Sequence, residues 1–219
     1  MIEAVIFDVG GVLAYDVWEH LLLNKEEGLV SIYDLDLTRV QKVGRELYDE
    51  FAHRKGQGED GWKELEEEYW NRLTNRLHLS LAPSELIQLT DRFIRPLVGM
   101  IELLECLKAR AVRLAICSNN TEFWFRRQAD KLGLYRFFNA EDIVLSSRIG
   151  VSKSSPNFEM FRAVVNRLGI DKRNCVFVDD RIGNIVQSIK FGLAGIIFPS
   201  HSEYGAEYLG LLLGQLGIL

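Results

Sequence analysis

The chain has 219 residues, 47% hydrophobic and 26% charged, the balance of an ordinary globular protein with enough length to bury a sizeable core. Its formal net charge of −5 argues against a nucleic-acid backbone as the main partner and requires any anionic ligand to be drawn in by a locally placed cation. No apolar run is long enough to span a membrane and the opening MIEAVIFDVGGVL has no basic leader, so a cytoplasmic location is expected. Cys106, Cys117 and Cys175 sit among apolar neighbours without metal-ligand spacing, and are expected to be buried, reduced core residues.

Residues Ile2–Phe7 (IEAVIF) form a β-branched-rich apolar run that stops at Asp8 and the turn-forming pair Gly10-Gly11, the profile of a buried strand. From about Trp18 to Leu89 the pattern switches to a helical period, with Val40, Val43, Leu47 and Phe51 on one stripe and Trp62, Leu65, Tyr69 and Leu73 on another. A short break, Gly56-Gln57-Gly58, interrupts it and could move on closure over a ligand. Asp34-Leu35-Asp36 has no apolar strand before it and reads as a turn and N-cap for a helix starting near Leu37.

After a turn at Pro96 and Gly99, Met100–Lys108 reads as a helix and Arg113–Cys117 as a second strand, ending in Ser118-Asn119-Asn120. A helix over Phe123–Leu132 and a third strand at Ile143–Leu145 follow. Next comes a helix over Phe158–Leu168, with Pro156 in its first turn and Ser155 as its cap. Asn174–Val178 is a fourth strand, ending in Asp179-Asp180, then Ile185–Phe191 a helix and Ala194–Phe198 a fifth strand. This alternation predicts an α/β fold, a doubly wound, Rossmann-like parallel sheet with right-handed crossovers and an inserted all-helical cap. The expected division is residues 1–15 and 91–219 for the α/β core and 16–90 for the cap.

Asp8, Ser118 and Asp179-Asp180 then fall at the carboxyl ends of three strands, the edge where open parallel sheets bind ligands. A lone Asp there is readily a helix cap. Three carboxylates crowded at one edge repel one another unless a cation compensates, and a hard divalent ion such as Mg²⁺ suits an oxygen-only ligand set. Lys153, in the loop GVSKSSP, is able to neutralise an anion, and Ser118 with the amides after it is able to cradle one.

The ordered segments FDVGGVL, ICSNN, GVSK and VFVDD resemble the four motifs of the haloacid dehalogenase superfamily, and the helical block is similar to its C1-type cap. Within it the chain most resembles small sugar-phosphate phosphatases and the N-terminal phosphatase domain of soluble epoxide hydrolases, along its whole length including RKGQGEDGWKELEEEYW in the cap. The resemblance implies an Mg²⁺-dependent hydrolase of phosphomonoesters, in which Asp8 attacks phosphorus and an aspartyl-phosphate is then hydrolysed. It implies that Ser118, Asn119 and Lys153 bind the phosphoryl group. The metal would be held by the Asp8 carboxylate, the Gly10 carbonyl and Asp180, with Asp179 and Asn184 orienting its waters. The partner would be a small phosphorylated metabolite and the assembly a monomer or homodimer. Trp18, Arg54, Lys55 and Trp62 are the cap residues that could face the site and contact substrate, the alternative being core for the Trp residues and solvated surface for Arg54 and Lys55.

Two positions depart from the superfamily pattern. The residue two after the nucleophile, usually an Asp that serves as general acid and base, is Gly10, and losing such a group forfeits about 10²–10⁴ in rate. Asp16, Tyr15 and a cap residue such as His53 are the candidate replacements. Lys153 is followed by Ser154 rather than Pro, which loosens the loop but keeps the ammonium. Two alternatives follow: a non-catalytic binding protein that has lost turnover with its second Asp, and a metal-independent 2-haloacid dehalogenase, against which Asp179-Asp180 argues.

Overall fold

A computed structural model describes residues 2–57 and 60–219, which leaves Gly58 of the expected glycine break outside the described residues. β1 (Ala4–Phe7) is the middle strand of a five-stranded, all-parallel sheet ordered β3-β2-β1-β4-β5. Its partners are β2 (Arg113–Ser118) and β4 (Cys175–Asp179), flanked by β3 (Ile143–Leu145) and β5 (Ala194–Ile197). All four residues of β1 are fully buried because both faces of the sheet are covered, so it is apolar throughout rather than alternating. Val5 and Phe7 point into one core with Met100, Leu104, Leu209 and Leu213. Ala4 and Ile6 point into the other with Met160, Phe161 and Val164.

Register decides what emerges at the functional edge. Phe7 pairs with Ile116 on one side and Val178 on the other, so Asp8 leaves the sheet level with Cys117 and Asp179. Its amide still donates to the Val178 carbonyl at 2.9 Å. The chain winds outward from β1 to β3, then returns across β1 to β4, which makes the carboxyl end of β1 the topological switch point.

The helical block runs through a π turn at Trp18–Leu22, then α1 (Leu29–Ile32), α2 (Leu37–Phe51), α3 (Gly61–Leu77) and α4 (Pro83–Phe93). Asp36 caps α2 by accepting from Arg39 N at 2.6 Å, as its place before the apolar stripe suggests. The stripes of α2 and α3 bury Val40, Leu47, Phe51, Tyr69 and Leu73 against Phe123 and Trp124 of the core, so the inserted helices share a hydrophobic core with one face of the sheet.

The rest of the core comprises α5 (Met100–Ala109), α6 (Glu122–Leu132), α7 (Ser146–Ile149), α8 (Glu159–Leu168), α9 (Ile182–Phe191) and α10 (Gly205–Gln215). Two expectations need correction, and one helix was not anticipated. α8 starts at Glu159 and not around Pro156, because Phe158 takes a left-handed conformation (φ 58°) and Ser155–Phe158 closes a separate turn. α10 carries glycines at 205, 210 and 214, which depress helix propensity and hid it, yet it buries Leu209 and Leu213. Cys106 is exposed, because α5 turns it away from the buried row Leu103, Leu104 and Leu107.

Candidate active site

Asp8 is the first residue past β1 and is 7% exposed. Its Oδ1 accepts from Val9 N at 2.7 Å, and its Oδ2 lies 2.6 Å from Lys153 Nζ. The same ammonium sits 2.5 Å from Asp179 Oδ2, so a fully buried lysine bridges the ends of β1 and β4. The loop carrying it is pinned by Lys153 N donating to Asn119 Oδ1 at 2.9 Å. Asp179 is saturated: Arg181 N donates to it at 2.8 Å and Asn184 Nδ2 reaches both its oxygens at 3.0 Å.

Charge is poised accordingly. Burial alone would raise the Asp8 pKa, but the Lys153 charge and hydrogen bonds from Lys153 and Ser118 outweigh it and keep Asp8 ionised. Burial would deprotonate Lys153, and the carboxylates of Asp179 and Asp8 reverse that. At Asp180 burial, then the charge of Asp8, outweighs the charges of Arg181 and Lys153 and pushes the pKa up to about 6. Its Oδ1 is buried and has no hydrogen-bond partner.

One ligand oxygen each from Asp8, Asp179 and Asp180 falls within 4.8 Å of the others. With Asp179 committed to Lys153 and Asn184, the donors left for a cation are Asp8 and the orphaned Asp180 oxygen, an all-oxygen set suited to a hard divalent ion. Gly11 holds this corner open: its φ is +76°, and a Cβ there would lie 2.4 Å from Asp180 Oδ2. Gly10 is different. A Cβ there would meet nothing closer than Asp16 Oδ2 at 3.5 Å, so the Asp16 carboxylate stands where a side chain at position 10 would project.

A cavity of about 550 Å³ opens above Asp8, Gly10, Asn119 and Lys153, roofed by Trp18, Arg45 and Tyr48 and closed at the side by Trp124. Of the expected cap residues, Trp18 lies on it and three do not. Arg54 is held in a two-pronged pair with Glu68 at 2.8 and 2.7 Å. Lys55 and Trp62 line a second cavity of about 480 Å³ beside Arg126 and Arg148. Among the candidate proton donors, Asp16 lines the main cavity, whereas Tyr15 packs its ring on His20 and Arg95, and His53 is exposed.

Arg45, Tyr48 and Trp124 were not anticipated. One signal in the sequence pointed to them: Gly44, a glycine inside the strongly amphipathic α2. A Cβ at Gly44 would stand 1.4 Å from the Trp18 ring, so the glycine exists to let Trp18 lie against the helix beside Tyr48.

The profile of the haloacid dehalogenase-like hydrolases matches residues 2–190, and the chain belongs to that family. It is 32% identical over 120 residues to flavin mononucleotide hydrolase 1 of Arabidopsis thaliana, covering 55% of this chain and 45% of that one. It is 28% identical over 155 residues to a phosphoglycolate phosphatase of Agrobacterium fabrum, covering 64% and 60% respectively. The chain thus spans less than two thirds of the length of either relative. A HAD family enzyme from Bacteroides thetaiotaomicron, solved as a magnesium complex, superposes with a TM-score of 0.66 at 18% identity, covering 94% of this chain and 98% of that one. No helix among the described residues is long and apolar enough to cross a membrane.

Proposed function

We propose that this chain is a Mg²⁺-dependent phosphatase that hydrolyses a small phosphorylated metabolite through an aspartyl-phosphate on Asp8, with residues 16–90 acting as its cap. The observation that carries the reading is the buried Lys153 bridging Asp8 and Asp179 beside the unpartnered Asp180 oxygen, which leaves one activated carboxylate and one uncommitted ligand oxygen at the switch point. The phosphatase relatives and the magnesium complex of a structural neighbour support it. The chain's free cysteines agree with a reducing, cytoplasmic setting.

The metal would be held by Asp8, the Gly10 carbonyl and Asp180, where it would neutralise phosphoryl charge. Asp8 attacks phosphorus, forming the Asp8–phosphate bond while the bond to the leaving-group oxygen breaks. Lys153, Ser118 and Asn119 hold the phosphoryl oxygens and offset the charge that develops on them. Asp16, raised in pKa chiefly by burial against the opposing charge of Arg181, gives its proton to the departing oxygen. It then accepts one from the water that cleaves the acyl phosphate and frees Asp8.

The test is turnover of acetyl phosphate, p-nitrophenyl phosphate and a panel of phosphorylated metabolites with Mg²⁺. Asp8→Asn should abolish activity, a loss of about 10³-fold or more. Asp16→Asn should slow poor leaving groups by about 10²-fold and p-nitrophenyl phosphate much less, since that phenolate needs little protonation. Full activity in Asp8→Asn overturns the mechanism. A wild-type chain inert on every ester points to a binding protein, and halide release from a 2-chloroacid that survives EDTA points to a dehalogenase.

A further inference from the structure

The peptide joining Asn119 to Asn120 is tied to α2 at both edges, directly at its carbonyl and through Ser146 of α7 at its amide. Its carbonyl accepts from the Tyr48 hydroxyl at 2.6 Å. Its amide, the N–H of Asn120, donates to Ser146 Oγ at 3.0 Å, and that hydroxyl in turn donates to the Ala52 carbonyl at 2.7 Å. Tyr48 and Ala52 are one turn apart at the C-terminal end of α2, so one helical turn fixes both edges of a single peptide plane in the core. Asn119 directly follows Ser118, and its Oδ1 also anchors the backbone of Lys153. Asn119 is therefore gripped at its carbonyl by the helical insert and at its side chain by the lysine loop.

We propose that Tyr48 is a positioning residue whose hydroxyl orients the Asn119–Asn120 peptide, so that the anion-binding loop after β2 is complete only when α2 is docked. The proposal rests on the phosphatase reading for what the loop binds, and on geometry alone for the clamp. The Tyr48 ring stacks on Trp124 at 5.6 Å and 25°, with Trp18 at 6.4 Å on another side, which leaves the hydroxyl little freedom. Burial keeps that hydroxyl protonated and hence a donor. A peptide freed from Tyr48 can turn its carbonyl, the negative end of its dipole, toward the cavity that Asn119 lines, where it repels phosphoryl oxygens. Docking of the cap and grip on the phosphate thereby become one event.

Tyr48→Phe keeps the ring and its stacking and deletes only the donor. Two quantities are read on the full chain: orthophosphate affinity of the Mg²⁺-loaded protein by calorimetry, and hydrogen exchange of the Asn120 amide. Orthophosphate should bind about threefold to tenfold more weakly, the range of one net hydrogen bond. The Asn120 amide should exchange up to about tenfold faster while that of Ile116 in β2 stays unchanged, a contrast that general destabilisation would not produce. Ser146→Ala removes the other arm and should act in the same direction, with the double variant losing less than the sum. Wild-type exchange at Asn120 together with wild-type orthophosphate affinity in Tyr48→Phe overturns the proposal. If Tyr48→Phe does not fold, wild-type values of both quantities in Ser146→Ala overturn it instead. If the wild-type chain binds no orthophosphate, the phosphatase reading fails, and the exchange comparison alone decides the clamp.

Discussion

The two walls of the main cavity are built on different terms. On the core wall, Asp8 and Lys153 line the cavity, and the pairing of Phe7 with Val178 sets Asp8 beside Asp179 and Asp180 at the adjacent strand end, with one ligand oxygen of each within 4.8 Å of the others. On the opposite wall, Trp18, Arg45 and Tyr48 come from a π turn and a helix whose facing is settled by packing against α6 and by Gly44. Register is set by the buried apolar residues of the strands, so the polar residues that follow them are placed without having to specify it. Helix facing depends on every side chain around the helix. The core wall is therefore fixed by the sheet, whereas the wall of inserted helices changes with the side chains packed around it.

The sharpest way to break this comparison is at Lys153. If the core wall is held by mutual charge, Lys153→Met leaves two buried carboxylates facing each other with no cation, Asp8 and Asp179. Breaking a buried pair in this way costs about 3–5 kcal/mol of stability. Urea denaturation should show that loss together with loss of turnover, and added Mg²⁺ should recover part of the stability by replacing the missing charge. A variant as stable as the parent would mean that the core wall is not held by these charges.

This contrast also decides how much was legible in the sequence. Asp8, Ser118 and Asp179-Asp180 could be located because each ends an apolar run, and the order of such runs dictates a sheet edge. Lys153 could be tied to them only through the resemblance of GVSK to a known motif, since no periodicity places a loop lysine. In the inserted helices, residue type misled. Arg54 was a candidate to face the site, but it lies in the segment after α2 and is neutralised by Glu68 of α3. Trp62 looked like a substrate wall but faces the second cavity, a matter of how α3 is rotated that its own pattern does not encode. Asp16 was one of three candidates, and only its place in the main cavity and beside Gly10 separates it from Tyr15 and His53.

A middle-sized effect tests the unpartnered ligand of the core wall. Asp180 has its pKa pushed up to about 6 by burial first and the Asp8 charge second. Below that pH it is protonated and a proton must leave before it can ligate a cation. Mg²⁺ affinity should therefore rise by about tenfold per pH unit up to pH 6 and level off above it, as calorimetry between pH 5 and 8 will show. The sign for stability is opposite. A carboxyl whose folded pKa is raised favours the fold fully below its unfolded value of 3.8, and that contribution is lost as pH rises through about 6. Asp180→Asn should flatten both curves, and an affinity profile that stays unchanged in that variant removes Asp180 from the ligand set.

The smallest effects separate the two cavities. Lys55→Ala and Trp62→Ala alter side chains that line the second cavity, away from Asp8, and should leave KM and kcat within about twofold of the parent. Trp18→Ala removes a wall of the main cavity and should raise KM for the best substrate by about tenfold while changing kcat less, because it withdraws contacts made equally in the ground and transition states. The comparison needs all three. If Trp62→Ala shifts KM as much as Trp18→Ala does, the two cavities act as one substrate channel, and the cap chooses its ligand over a wider surface than the wall above Asp8.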